Sequence, residues 1–191
     1  MSKQDRDKWN QRYAENSYNK NNPVVLLEEW LPQVPTGKAL DVACGAGRNS
    51  ILMARSGFQV DAIDISAEGL RKAGLLAEQL GLSVNWIEHD LDQDFPFDTD
   101  YSLIAVMWFV NLELVKRLCG CLAAGGYLIC EEHLLTDQEV IGPTSPQFRV
   151  APGALREAVS DLELLLYQES IETGSDGERV ASARVVARKS I

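Results

Sequence analysis

Two glycines, Gly45 and Gly47, follow a short apolar run that contains Asp41, and a predicted helix begins directly after them. Glycine lets the main chain approach a ligand closely, and the first turn of a helix presents free N–H groups. In an open α/β sheet, ligands bind beyond the carboxyl ends of the strands, where the strand order reverses. This segment therefore predicts a cradle for a nucleotide-like ligand. An ordinary turn between a strand and a helix is the alternative interpretation.

Two aspartates follow the next two predicted strands. Asp64 lies seventeen residues after Gly47, and its carboxylate can accept hydrogen bonds from a ribose diol. Asp90 follows the third predicted strand, where a side chain can meet an adenine amino group. A helix N-cap for Asp64 and a plain loop position for Asp90 are the alternatives. The glycine turn and Asp64 together favour a nucleotide site.

A second group of residues can act on a molecule that lies beside such a ligand. His133, at the end of the fifth predicted strand, is the candidate general base. Arg149, in the proline-rich loop or lid 142–152, can hold an anionic group. Trp108 and Phe109 can wall the pocket. The alternatives are a solvent-facing histidine, a surface arginine and two core aromatic side chains.

These residues need a scaffold in which several strand ends meet. Short apolar runs alternate with longer amphipathic segments, which is typical of a parallel sheet with helices on both faces. The predicted strands span residues 38–43, 58–63, 83–88, 101–108, 127–130, 162–170 and 179–187. The predicted helices span residues 4–15, 23–31, 48–56, 66–80, 112–123 and 154–160. The last two strands are predicted to form a hairpin across residues 173–177, and residues 90–100 a loop.

Length, charge and cysteine content limit the classes of protein to which the chain can belong. The 191 residues suffice for one domain, which we predict to span 1–191, with an N-terminal helical cap (1–35) and an α/β core (36–191). The net charge of −10, with no basic run, weighs against nucleic acid as a partner. No apolar run approaches the roughly 20 residues that span a bilayer, and residues 1–22 do not resemble a signal peptide.

The same features favour a cytoplasmic protein, monomeric or homodimeric, that acts on a small molecule. The four cysteines form no C-x-x-C pair, and the chain has two histidines. This spacing does not match a zinc site, so no metal is predicted.

At this point the sequence resembles the class I S-adenosylmethionine-dependent methyltransferases, and most closely their small bacterial branch of tellurite- and thiopurine-type enzymes. The resemblance covers nearly the whole chain. It is carried by the motifs at residues 9–13 (W-N-Q-R-Y), 41–47 (D-V-A-C-G-A-G), 64, 90–91, 101–110, 124–128 and 148–155. The first motif commonly has glycine where this chain has Ala43, and the fifth-strand turn commonly has proline where it has Ala124.

The resemblance implies a Rossmann-like, doubly wound α/β sheet of seven strands, mostly parallel with an antiparallel last strand and helices on both faces. It also implies methyl transfer from S-adenosylmethionine to a small-molecule acceptor by in-line displacement, with S-adenosylhomocysteine as the product. The residues predicted to contact the cofactor are Arg12, Tyr13, Asp41, Ala43, Cys44, Gly45, Gly47, Arg48, Asn49, Asp64, Ile65, Asp90, Leu91, Met107 and Trp108. His133 and Arg149 are the candidate catalytic residues.

Two other functions compete with this interpretation. An NAD(P)-dependent oxidoreductase would carry G-x-G-x-x-G, but Ser50 stands where the third glycine permits close packing of helix and strand. A non-catalytic module that binds S-adenosylmethionine would have the same cofactor site. The sequence leaves the acceptor open among thiols, amines, carboxylates and metalloid oxyanions.

Overall fold

A computed structural model describes residues 3–15, 22–93, 97, 99–173 and 177–191. The strands are β1 (Lys38–Val42), β2 (Gln59–Asp64), β3 (Asn85–Glu88), β4 (Tyr101–Met107), β5 (Leu122–His133), β6 (Glu163–Thr173) and β7 (Arg179–Arg188). The helices are α1 (Lys3–Ala14), α2 (Val25–Trp30), α3 (Arg48–Arg55), α4 (Ala67–Gln79), α5 (Leu112–Cys121) and α6 (Ala154–Ala158). Short 3-10 turns occupy Leu31–Gln33 and Pro146–Phe148.

The seven strands form one sheet in the order β3-β2-β1-β4-β5-β7-β6. The first five strands of the chain pair in parallel, whereas β7 runs antiparallel to both β5 and β6. The predicted sheet with its antiparallel last strand is therefore confirmed. The order reverses between β1 and β4, which opens a crevice at the carboxyl ends of these strands.

The sheet is covered on both faces, as the alternation of buried side chains along β1 shows. Leu40 and Val42 belong to one apolar cluster, and Ala39 belongs to the other. Parallel strands buried on both faces carry such continuous apolar runs. The first cluster includes residues of α5 and α6, namely Leu114, Leu118 and Leu155. The second includes residues of α2, α3 and α4, namely Leu27, Met53 and Leu70.

The pair Gly125-Gly126, predicted to turn the chain into the fifth strand, instead lies inside it. β5 begins at Leu122, and α5 ends at Cys121 rather than at residue 123. The pairing register with β4 shifts at this point, and a Cβ atom at Gly126 would lie 2.6 Å from the carbonyl oxygen of Tyr101. The two glycines thus permit a bulge in a continuous strand.

Other element boundaries agree with the predictions to within a few residues. Ser66 caps α4 as predicted, because its hydroxyl accepts a hydrogen bond from the Gly69 N–H at 3.1 Å. Residues 174–176 of the predicted hairpin turn lie outside the described part of the chain. Within the described residues, no helix is both long and apolar enough to cross a membrane.

Candidate functional site

A cavity opens where the carboxyl ends of β1, β2 and β4 meet, at the reversal of strand order. Its volume is about 90 Å³. Residues of the β1–α3 turn, of the ends of β2 and β4, and of α1 line it. They are Trp9, Tyr13, Ala43, Cys44, Gly45, Ala46, Arg48, Asn49, Asp64, Ile65, Met107, Trp108 and Phe109.

The carboxylate of Asp64 fixes the shape of the glycine turn. Its Oδ2 accepts a hydrogen bond from the Gly45 N–H, and its Oδ1 accepts one from the Ser66 N–H, both at 2.8 Å. Asp64 therefore ties the β1–α3 turn to the turn that begins α4. Burial raises the pKa of this carboxyl, and the main-chain N–H donors of Ser66 and Gly45 act in the opposite direction.

Asp41 lies beneath the same turn and not in the cavity. Its Oδ2 accepts a hydrogen bond from the Ser50 hydroxyl at 2.5 Å, which joins the end of β1 to α3. Burial raises the pKa of Asp41 to about 7, and the Ser50 hydrogen bond and the charge of Arg48 partly offset that effect. Ser50 thus uses its side chain for this contact, at the position where an oxidoreductase fingerprint has glycine.

The two glycines of the turn leave space for different neighbours. A Cβ atom at Gly45 would lie 2.2 Å from the hydroxyl oxygen of Tyr13, above the turn. A Cβ atom at Gly47 would lie 2.7 Å from the Trp86 ring and 2.8 Å from the Ala73 Cβ. Gly45 therefore permits the close approach of Tyr13, whereas Gly47 permits close packing against β3 and α4.

Helix α1 covers the cavity and is held by α4. The Asn10 Oδ1 accepts hydrogen bonds from the Ser66 hydroxyl at 2.8 Å and from the Glu68 N–H at 3.1 Å. Lys72 donates a hydrogen bond to the Tyr13 carbonyl, and the Tyr13 ring stacks on Trp9 with their centroids 5.9 Å apart. The opening motif of the chain thus lies over the glycine turn.

A comparison with known proteins supports the predicted family. A model of the methyltransferase domain matches residues 39–126. The chain is 27% identical over 164 residues to TehB of Haemophilus influenzae, a "Probable S-adenosyl-L-methionine-dependent methyltransferase", and the match covers 80% of this chain and 57% of that protein. Residues 39–126 thus match a methyltransferase domain, in agreement with the predicted resemblance to the class I S-adenosylmethionine-dependent methyltransferases. The predicted resemblance to the tellurite-resistance-like branch is confirmed.

Solved structures agree with this assignment at the level of the fold. The crystal structure of TehB from Haemophilus influenzae matches with a TM-score of 0.75 at 22% identity, over 95% of this chain and 67% of that one. The N-methyltransferase NodS from Bradyrhizobium japonicum, in complex with S-adenosylhomocysteine, matches with a TM-score of 0.69 at 15% identity, over 95% and 98%. The chain spans 57% of the length of its TehB relative.

The structure brings ten of the fifteen predicted cofactor residues to the cavity wall. The five that do not line it are Arg12, Asp41, Gly47, Asp90 and Leu91. Arg12 lies over the Trp9 ring, 4.9 Å from its centroid. Asp90 accepts a hydrogen bond from the Asp92 N–H, and Leu91 is buried in the apolar cluster of α5 and α6. Contact of any of the fifteen residues with the cofactor stays a prediction.

Three lining residues were not predicted as cofactor contacts: Trp9, Ala46 and Phe109. All three lie within motifs of the family resemblance, at residues 9–13, 41–47 and 101–110. Trp9 lies one helical turn before Tyr13, a spacing that places both on one side of α1. That spacing is the sequence signal for Trp9.

The two candidate catalytic residues take different positions near the cavity. His133 does not line it but contacts Trp108, with ring centroids 4.4 Å apart. Arg149 donates hydrogen bonds from Nε, Nη1 and Nη2 to the carbonyls of Pro143, Leu134 and Ile141. Its guanidinium therefore organises the loop after β5, and a contact with an anionic acceptor stays a prediction. Across the described residues, no group of three or more His, Cys, Asp or Glu is arranged to hold a metal.

Proposed function

We propose that this chain transfers the methyl group of S-adenosylmethionine to a small-molecule acceptor by in-line displacement. The observation that carries the proposal is the placement of Asp64 and the Gly45 main chain opposite Met107 and Trp108, in one cavity at the reversal of strand order. Ligands of doubly wound sheets bind at this point. The match of residues 39–126 to the methyltransferase domain supports the reaction class.

The residues of the cavity suit the parts of this cofactor. Each Asp64 oxygen holds one main-chain N–H and keeps a second lone pair that can accept a ribose hydroxyl. The aromatic wall at Trp108 suits a sulfonium, because aromatic faces attract cations. When bound, S-adenosylmethionine supplies a methyl group activated by a positively charged sulfur.

The chain contributes mainly position and exclusion of water to such a transfer. The positive charge disappears as the methyl leaves sulfur, so no strong acid is required, and holding the acceptor in line accounts for much of the rate. His133, in contact with Trp108, is the candidate base for an acceptor that arrives protonated. The net charge of −10 favours a small molecule over a nucleic acid.

The proposal is tested with S-adenosylmethionine labelled at its methyl group. The protein is incubated with separate panels of thiols, amines, carboxylates and metalloid oxyanions, and labelled products are counted. Transfer to one class, absent from a boiled control, supports the proposal and names the acceptor. Cofactor binding without transfer to any panel member would favour the second candidate, a non-catalytic module that binds S-adenosylmethionine.

A further inference from the structure

Glu132 is an acidic side chain in an apolar environment. It lies on β5 after Cys130 and before Leu134, which directly follows the strand, and both of these neighbours belong to the apolar cluster of α5 and α6. Its exposed fraction is 1%. Burial raises the pKa of this carboxyl well above its ordinary value. Burying such a group is unfavourable unless it is paired or hydrogen-bonded, so its position calls for a specific reason.

The Glu132 carboxyl makes one contact with the end of β4. Its Oε1 accepts a hydrogen bond from the Phe109 N–H at 3.0 Å. Its Oε2 is buried and has no hydrogen-bond partner among the described residues. The carboxyl thus directs one oxygen at a single main-chain donor two residues beyond the end of β4.

This contact arises where the pairing of β4 with β5 ends. The Trp108 N–H donates to the Glu131 carbonyl at 2.8 Å, so it still points toward β5. In a regular parallel strand the next N–H, that of Phe109, would point away from β5 toward β1. It points back toward β5 instead, where the Glu132 side chain accepts it.

The segment held in this way is strained and lines the cavity. Trp108 has a φ of +63°, a left-handed conformation that is a genuine outlier for a bulky side chain. Such a conformation persists only where surrounding contacts fix it, and it is found at functional sites. Trp108 and Phe109 form the wall of the cavity on the side of β4.

We propose that Glu132 is a positioning residue, which holds the turn at Trp108 and Phe109 so that these aromatic side chains shape the acceptor end of the cavity. The assignment of the acceptor end rests on the proposed function. The role of Glu132 in fixing the turn rests on the hydrogen bond to Phe109 and on the strained backbone alone.

The first test measures hydrogen exchange of the Phe109 amide in the parent protein by NMR. The amide is expected to be protected, although it lies beyond the last residue of β4. Exchange as fast as that of an exposed amide would overturn the proposal. This measurement needs no variant, so it decides even where a substitution prevents folding.

The second test compares Glu132→Gln, Glu132→Met and the control Glu131→Gln. Glu131 points to the other face and pairs with Arg184 at 2.9 Å. Glutamine keeps an acceptor oxygen, so Phe109 exchange stays within a few-fold of the parent. Methionine fills the space without an acceptor, so exchange accelerates roughly tenfold or more. The control leaves Phe109 unchanged.

The position of Trp108 is followed by ¹⁹F NMR of protein labelled with 5-fluorotryptophan, with the resonance assigned in Trp108→Phe. Glu132→Met is expected to shift the Trp108 resonance, and Glu132→Gln to retain it. An unchanged resonance and unchanged Phe109 exchange in Glu132→Met would overturn the proposal, as would loss of Phe109 protection in Glu132→Gln. Addition of S-adenosylhomocysteine tests the proposed function separately. If this ligand does not bind, the proposed function fails. The spectra recorded without ligand still decide the role of Glu132.

Discussion

Backbone strain is concentrated at the cavity. Among the described residues, three non-glycine side chains have positive φ values, and two of them, Ala43 (+55°) and Trp108 (+63°), line the cavity. A left-handed conformation costs an L-amino acid about 1–2 kcal/mol. The strained residues lie in the β1–α3 turn and at the end of β4. The conformation of the cavity wall therefore lowers the free energy of unfolding.

The conformation of Ala43 leads to a prediction about stability. Ala43→Gly is expected to raise the free energy of unfolding by up to about 1 kcal/mol, because glycine adopts positive φ without strain and loses part of this gain through its greater freedom when unfolded. Urea unfolding measures the change. Ala46→Gly, in the same turn but without a positive φ, is the matched control and should not be stabilised. A destabilised Ala43→Gly would contradict the account of the turn.

Asp41 makes a pH-dependent contribution to stability. Its pKa is about 7 in the folded protein and its ordinary value is 3.8, so the unfolded chain loses this proton at lower pH than the folded one. The contribution is fully present below about pH 4 and is lost as the pH rises through about 7. Asp41→Asn cannot ionise and keeps an acceptor for Ser50.

The free energy of unfolding of Asp41→Asn, relative to the parent, should therefore rise between about pH 4 and pH 7. The slope is at most roughly 1.4 kcal/mol per pH unit. Urea unfolding at a series of pH values measures it, and the other buried carboxyls contribute to both proteins alike. A difference that is flat with pH would show that Asp41 titrates normally.

At the scale of elements, the relation between α1 and the glycine turn governs access to the cavity. Pockets for small-molecule ligands and cofactors are roughly 300–1,000 Å³, whereas the cavity beneath α1 measures about 90 Å³. The Tyr13 hydroxyl occupies the space directly above Gly45. We therefore expect Tyr13 and α1 to move outward when the cofactor binds.

Substitution of Gly45 tests this packing. Gly45→Ala places a Cβ atom against Tyr13 and strains a φ of +58°, whereas Gly81→Ala strains a φ of +68° with no atom within 4 Å. Gly81→Ala should cost about 1–2 kcal/mol in urea unfolding, and Gly45→Ala more. Tyr13→Phe should recover part of the excess in the double variant. Equal costs for the two glycine substitutions would mean that Tyr13 does not rest on Gly45.

The elements were largely predictable from sequence, because periodicity and glycine spacing are local signals. The course of β5 through Gly125 and Gly126 was not, since the bulge depends on pairing with Tyr101 in a distant strand. The three carbonyl contacts of Arg149 and the Glu132 contact with Phe109 likewise depend on loops that meet only in the folded chain. The glycine turn and Asp64 were predictable, because each directly follows a strand and the carboxyl ends of neighbouring parallel strands lie side by side.

At the scale of the whole molecule, the strand order and the match to the methyltransferase domain define the class, while the reaction depends on the site. The chain spans 57% of the length of its TehB relative, so methyl transfer by this chain is a proposal that the acceptor panels test. The division of the chain into a cap (1–35) and a core stays a prediction, although Leu26 and Leu27 of α2 already pack in the cluster on the sheet.

Isothermal titration with S-adenosylmethionine, S-adenosylhomocysteine and NAD distinguishes the proposed cofactor from a dinucleotide. We expect micromolar binding of both adenosyl ligands and no binding of NAD. We also expect Asp64→Ala to weaken adenosyl binding by about 1–3 kcal/mol. Unfolding without ligand is measured beside it, because Asp64 also holds Gly45. Binding of NAD alone, or an Asp64→Ala variant that is folded and has unchanged affinity, would contradict the cofactor site described here.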